Sequence, residues 1–186
     1  ELSYKKGAAV VHMIRYLIHD DALFYEVLKQ FLDTYKNDVA TAEDFKQILH
    51  EQTGMDFTGF FDQWYYGRGY PTYEVRWEQQ GDSVSLVLEQ ETSADEPEWF
   101  TIPVEIEIAS SSGRDTIFRV QPGSAADRFV VYYPYEADSL RLDPNNWIIH
   151  APAGGVTRTP ETVKDAFEVS IYPNPVNESA VVSFDY

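Results

Sequence analysis

The stretch Gly67-Arg-Gly-Tyr-Pro71 divides the sequence into two parts that obey different periodicities. Two glycines and a proline this close together cannot continue a helix, because proline lacks an amide donor and its ring clashes with the preceding turn. Before the break, residues 3–66 hold no proline, and apolar side chains recur every three or four positions. Leu2, Ala9, Val10, Met13, Ile14 and Leu17 form one stripe, and Leu23, Phe24, Val27, Leu28 and Phe31 a second. This spacing predicts amphipathic helices. Asp20-Asp21 separates the first two, with Asp21 read as the N-cap of the second. Thr41-Ala-Glu-Asp44 predicts a capped start for a third helix carrying Phe45, Ile48 and Leu49, and Gly54 closes it. Phe57, Phe60, Phe61, Trp64 and Tyr65 predict a short fourth. Helices of this length are marginal alone and need neighbours to pack on.

After Pro71 the period becomes two. Tyr73, Val75 and Trp77 alternate with Glu74, Arg76 and Glu78, and Val84, Leu86 and Leu88 alternate with polar or smaller residues. Gln80-Gly-Asp-Ser83 lies between them, which predicts a hairpin. Ile102, Val104, Ile106 and Ile108 predict a third strand, with Pro103 near its start. Shorter strands are expected over 115–120, 128–133 and 138–142. The fold class expected is α+β in two domains: a helical part, then an antiparallel β-sandwich. The boundaries read as 1–68 for the helical domain, 69–150 for the sandwich, 151–167 for a Gly-, Pro- and Thr-containing linker, and 168–186 for the start of a further β element.

Composition narrows the chemistry. With 14 Lys plus Arg against 31 Asp plus Glu the formal charge is −17, and most of the acidity falls after residue 66. Such a surface repels phosphate backbones, so no nucleic-acid partner is expected. The absence of cysteine removes thiolate nucleophiles and thiolate metal sites. No apolar run is long enough to span a bilayer. The four histidines, His12, His19, His50 and His150, form no His-Glu-x-x-His pair, and zinc needs three or four ligands, so no metal site is expected within the chain. The segment Glu91-Thr-Ser-Ala-Asp-Glu96 is too sparse for a calcium loop. Nucleophile elbows, phosphate-binding glycine loops and dinucleotide fingerprints are absent as well. The aromatic run Trp64-Tyr-Tyr-Gly-Arg-Gly-Tyr-Pro71 lacks the basic groove that base stacking requires and reads as core packing at a helix end.

Five ordered motifs carry a family resemblance. Leu2-Ser-Tyr-Lys-Lys-Gly-Ala8 followed by Val11-His-Met-Ile-Arg-Tyr-Leu17 resembles the segment after the zinc-binding helices of aminopeptidase N type metallopeptidases, the gluzincins. Thr41-Ala-Glu-Asp-Phe45, Gly54-Met-Asp56, Phe60-Phe-Asp-Gln-Trp64 and Gly69-Tyr-Pro71 follow in the family's order. The resemblance runs from about residue 2 to about residue 150 and implies the helical C-terminal part of a thermolysin-like catalytic domain joined to a β-sandwich. It also implies that the zinc ligands, His-Glu-x-x-His and a downstream glutamate, lie upstream of residue 1. The family's catalytic tyrosine maps onto Tyr4. A phenol with a pKa of about 10 stays protonated at neutral pH and can donate to the oxyanion formed during attack on a peptide carbonyl. Lys5 and Lys6 carry no derivable catalytic task and are expected to be solvated or paired with carboxylates. Gly7 is expected to permit close backbone packing.

The chain starts at Glu1 without Met or an apolar leader, and reads as a processed or excised piece of a longer protein. Ser170-Ile-Tyr-Pro-Asn-Pro-Val176 resembles the opening of the C-terminal sorting domain of proteins exported by the Bacteroidetes route. This resemblance implies a secreted or cell-surface protein. The resulting expectation is the C-terminal part of a secreted zinc aminopeptidase whose parent hydrolyses N-terminal peptide bonds. The partners expected are peptide substrates and the rest of the catalytic domain. The isolated piece is expected to be inactive and to form a homodimer where its helix faces lack that neighbour. Two other classes fit the residues: a non-catalytic scaffold module derived from such a peptidase, and a carbohydrate-binding sandwich.

Overall fold

The computed structural model describes residues 2–151 and 155–158. The sorting element expected over 168–186 lies outside the described residues. Within them the architecture is mixed α+β, and the chain divides after Arg68 into a helical unit and a β unit.

The helical unit begins with α1 (Leu2–Ile18), which buries Val10, Met13, Ile14, Tyr16 and Ile18. It ends at His19, whose φ of +54° is left-handed and whose amide donates to the Arg15 carbonyl at 3.1 Å. α2 (Asp21–Thr34) buries Phe24 and Val27. Its N-cap is Asp20, not the expected Asp21. Asp20 holds the extended backbone a cap needs, and its carboxylate accepts the Leu23 amide at 3.0 Å. Asp21 sits in the first turn and accepts both Arg15 Nε at 2.7 Å and Nη2 at 2.6 Å. That paired bond holds the Asp21 carboxyl below its usual range and raises the Arg15 guanidinium above its own.

α3 (Ala42–Thr53) opens with a reciprocal cap: the Asp44 amide donates to Thr41 Oγ1 at 3.3 Å, and the Thr41 amide donates to the Asp44 carboxylate at 2.7 Å. Gly54 closes it, with its amide on the His50 carbonyl at 2.8 Å. The short α4 (Thr58–Phe60) runs into a π-helical stretch, Phe61–Tyr66, that buries Phe61 and Trp64. Gly67 ends it for a steric reason. A Cβ there would lie 2.3 Å from the Gln63 carbonyl oxygen and 2.7 Å from that of Asp62, so no larger residue fits.

The β unit starts with Gly69 at φ +81°, where a Cβ would come within 2.9 Å of Ala94 Cβ. β1 (Pro71–Gln80) and β2 (Ser83–Thr92) pair antiparallel from Pro71↔Thr92 to Gln80↔Ser83 around the two-residue turn Gly81-Asp82. β3 (Val104–Ala109), β4 (Thr116–Val120), β5 (Ala126–Tyr132) and β6 (Ser139–Leu142) follow. Within the stretch read as a linker, Gly155–Arg158 form β7, which pairs parallel to β1 from Glu74↔Gly155 to Trp77↔Arg158. Two sheets result, one ordered β5-β2-β1-β7 and the other β4-β3-β6.

Alternation settles which side of each strand is buried. Tyr73, Val75 and Trp77 of β1, Val84, Leu86 and Leu88 of β2, and Phe129 and Val131 of β5 are buried, as are Val104, Ile106 and Ile108 of β3. Burying each such side chain contributes about 1.5–3 kcal/mol against the entropy of ordering the chain. β3, flanked on both edges, also buries Glu105 and Glu107. Glu107 pairs with Arg141 of β6, and Glu105 accepts Asn145 Nδ2 at 2.9 Å, so neither carboxylate is buried without a partner.

Candidate functional site

Tyr4, the one residue to which sequence reasoning assigns chemistry, lies in the first turn of α1. Its backbone belongs to the helix; its side chain lies outside the described residues. The turn that follows is open: Lys5, Lys6, Gly7 and Ala8 are all exposed. Among the described residues Lys6 bonds to backbone carbonyls. Its Nζ donates to the Gly67 carbonyl at 3.1 Å and to the Tyr65 carbonyl at 3.4 Å, placing a positive charge on the unsatisfied carbonyls that end the π-helical stretch. The start of α1 is thereby tied to the end of the helical unit. Among the described residues a Cβ at Gly7 would meet nothing within 4 Å.

The aromatic stretch divides between packing and exposure. Trp64 is buried, whereas Tyr65 and Tyr66 are half exposed. Rings contact one another in series, Phe60 on Phe61 at 6.0 Å, Phe61 on Tyr65 at 5.8 Å and Tyr65 on Tyr66 at 4.8 Å. Tyr66 donates its hydroxyl to Glu43 Oε1 at 2.8 Å, and Lys46 pairs with Glu43 at 2.6 Å. Lys46 and then Tyr66 hold the Glu43 carboxyl below its usual range, and Glu43 in turn raises the Tyr66 phenol. These bonds tie the helix start at Thr41 to the end of the unit. They engage the Glu43 carboxylate from two sides.

The histidines are dispersed. His50 Nδ1 lies 3.0 Å from the Met55 carbonyl beyond the end of α3, and His150 sits in the β unit beside Asp143. Among the described residues no three His, Asp or Glu side chains come together in a way that could hold a metal ion. These residues do not fit a zinc site, which needs at least three protein ligands.

Residues 1–64 match the Peptidase family M1 domain. Over this stretch the chain is similar to the M1 aminopeptidases. It is 32% identical over 68 residues to Aminopeptidase N of Lactococcus lactis subsp. lactis, covering 37% of this chain and 8% of that protein. It is 32% identical over 90 residues to Probable aminopeptidase 2 of Sulfurisphaera tokodaii, covering 48% of this chain and 11% of that one. The crystal structure of Legionella pneumophila aminopeptidase A in complex with aspartic acid superposes with a TM-score of 0.60 over 74% of this chain and 16% of its own, at 20% identity. At that identity the likeness is one of fold. The chain thus spans about a tenth of the length of the curated relatives it matches. M1 aminopeptidases are zinc-dependent in general, and the described residues of this chain hold no group of three ligands.

Proposed function

We propose that this chain serves a zinc aminopeptidase as the part that follows the metal-binding helices, in an enzyme that hydrolyses N-terminal peptide bonds of peptides. The match of residues 1–64 to the Peptidase family M1 domain carries this reading. Within it Tyr4 donates a hydrogen bond to the oxyanion that forms at the peptide carbonyl, a task suited to a phenol that keeps its proton at neutral pH. Lys6 holds the opening turn of α1 through the Tyr65 and Gly67 carbonyls, so that the donor is carried on a fixed helix. The two sheets of the β unit form a β-sandwich that accompanies the catalytic domain. Exposed Tyr25, Leu32, Val39 and Met55 of the helical unit support a role for the rest of that domain as its partner. The Ser170–Val176 resemblance supports export to the cell surface or beyond.

The test uses the full-length protein. Tyr4→Phe is expected to lower turnover of aminoacyl amides about a hundredfold, the usual loss for one oxyanion donor, while bound zinc stays unchanged. Equal turnover by the variant rejects the role of Tyr4. Full-length protein without zinc or peptidase activity rejects the enzyme reading and favours the scaffold module.

A further inference from the structure

The loop after β6 is organised around one buried carboxylate. Asp143 is 4% exposed and adopts a φ of +43°. Its Oδ1 accepts the Trp147 amide at 2.8 Å and its Oδ2 accepts the Ile148 amide at 3.0 Å. His150 Nε2 stands 3.5 Å from the same Oδ2. On the far side of the ring, His150 Nδ1 lies 2.5 Å from the Ala151 carbonyl oxygen. Both ring nitrogens therefore face oxygens that can only accept. A neutral imidazole carries one N–H and leaves its other nitrogen lone pair against an acceptor, whereas the imidazolium donates to both.

The position of this pair gives the proton a structural consequence. The Asp143 amide donates to the Glu105 carbonyl of β3 at 2.8 Å, and the Ala151 amide donates to the Pro71 carbonyl of β1 at 2.9 Å. The loop thus bridges from one sheet to the other, and the chain then enters β7 at the edge of β1. We propose that His150 and Asp143 form a proton-gated clasp: the imidazolium pins the 143–151 loop to β1 and keeps β7 paired, and loss of its proton frees β7 at the sheet edge.

The surrounding charges agree with this. Burial works against the Asp143 carboxylate, but His150 and the Ile148 and Trp147 amides outweigh it and hold the group below its usual range. The Asp143 hydrogen bond raises His150 above its ordinary value, against the opposing effect of burial. β1 contributes Tyr73, whose ring centre lies 6.1 Å from that of His150. β3 contributes Glu105, whose carboxylate is engaged by Asn145. β7 contributes Arg158, which stands 5.0 Å over the Trp77 ring. A raised histidine stabilises the fold fully below the unfolded value of about 6.5, and that contribution is lost as pH rises through the folded value. A lowered carboxylate contributes above about 3.9, and that contribution is lost as pH falls through its folded value. The clasp is closed between those two limits.

The test reads His150 ring resonances by NMR across a pH titration of the intact chain, together with amide exchange of Gly155–Arg158 corrected for intrinsic chemistry. His150 is expected to titrate above about 6.5, and β7 protection is expected to fall over the same interval, by about tenfold for each pH unit of elevation. In His150→Gln that pH dependence is expected to vanish, and in Asp143→Asn the His150 titration is expected to move down. Both wild-type readings stand even where a variant does not fold. A His150 that titrates at or below its ordinary value, or β7 protection that is unchanged through its titration, overturns the proposal.

Discussion

The helical and β units solve the same burial problem with different completeness. The β unit buries alternate side chains along β1, β2 and β5, and it gives buried and half-buried glutamines several backbone partners each. Gln90, 6% exposed, donates to the Phe100 carbonyl at 3.2 Å and the Ser124 carbonyl at 3.0 Å, and accepts the Phe100 amide at 2.9 Å. Gln79 donates to the Tyr135 carbonyl at 2.7 Å and accepts the Ala137 amide at 2.9 Å. The helical unit has caps and a core stripe, yet it leaves Leu32 68% and Val39 83% exposed, with Tyr25, Tyr65 and Tyr66 half open. Its polar bonds lie at helix ends and on the surface, as in the Thr41–Asp44 cap and the Arg15–Asp21 pair. Of the two, the β unit has the more continuous buried core, and the helical unit leaves the more exposed aliphatic side chains, Leu32 and Val39.

That contrast breaks most readily with paired truncations followed by amide exchange in each unit of the same chain. Leu86→Ala, at a fully buried position of β2, is expected to destabilise the β unit by about 3 kcal/mol through lost burial and the cavity left behind. Leu32→Ala in α2 is expected to change the helical unit by less than about 0.5 kcal/mol. A large loss at Leu32 would mean that the exposed helical face is covered in solution, as by a second copy of the chain.

Two glutamines sharpen the comparison at a smaller scale. Gln90→Leu strands the buried Phe100 amide and carbonyl and frees the half-buried Ser124 carbonyl, and is expected to cost about 2 kcal/mol, read as a lower urea midpoint for the β unit. Gln47→Leu removes only an exposed bond to Glu51, 2.8 Å long, and is expected to shift the helical unit by less than about 0.5 kcal/mol.

The same contrast explains what could be read from the chain alone. Signals carried by near neighbours were legible: the three-to-four period of α1 and α2, the Thr41–Asp44 cap, Gly54 at a helix end, and the alternation around Gly81-Asp82. The cap of α2 was read as Asp21 and is Asp20, because either of two adjacent carboxylates can cap and Asp21 is engaged by Arg15 of α1. β7 is four residues with a glycine and a threonine, and its strand character comes from β1, far away in sequence. Gln79, Gln90 and the Asp143–His150 pair gain their roles from contacts that no periodicity announces. The reading of Tyr4 rests on the motif around it, since a lone tyrosine at a helix start carries no pattern of its own.

The cap and the glycine of the helical unit offer the gentlest tests. Thr41→Ala removes the oxygen that accepts the Asp44 amide and is expected to cost about 1 kcal/mol, visible as faster exchange in the first turn of α3. Gly7→Ala has the opposite sign. Gly7 lies inside α1 with open space where a methyl would go, so alanine gains helix propensity and meets no clash. The variant is expected to stabilise the helical unit of this chain by about 0.5–1 kcal/mol, measured as slower exchange along α1. In the full-length protein the outcome depends on whether other polypeptide approaches that turn. A loss of stability or turnover there, beside a gain in this chain, would place a close-packed neighbour against the turn that carries Tyr4. A gain in both would leave that side of α1 open to solvent, and the glycine without a packing role.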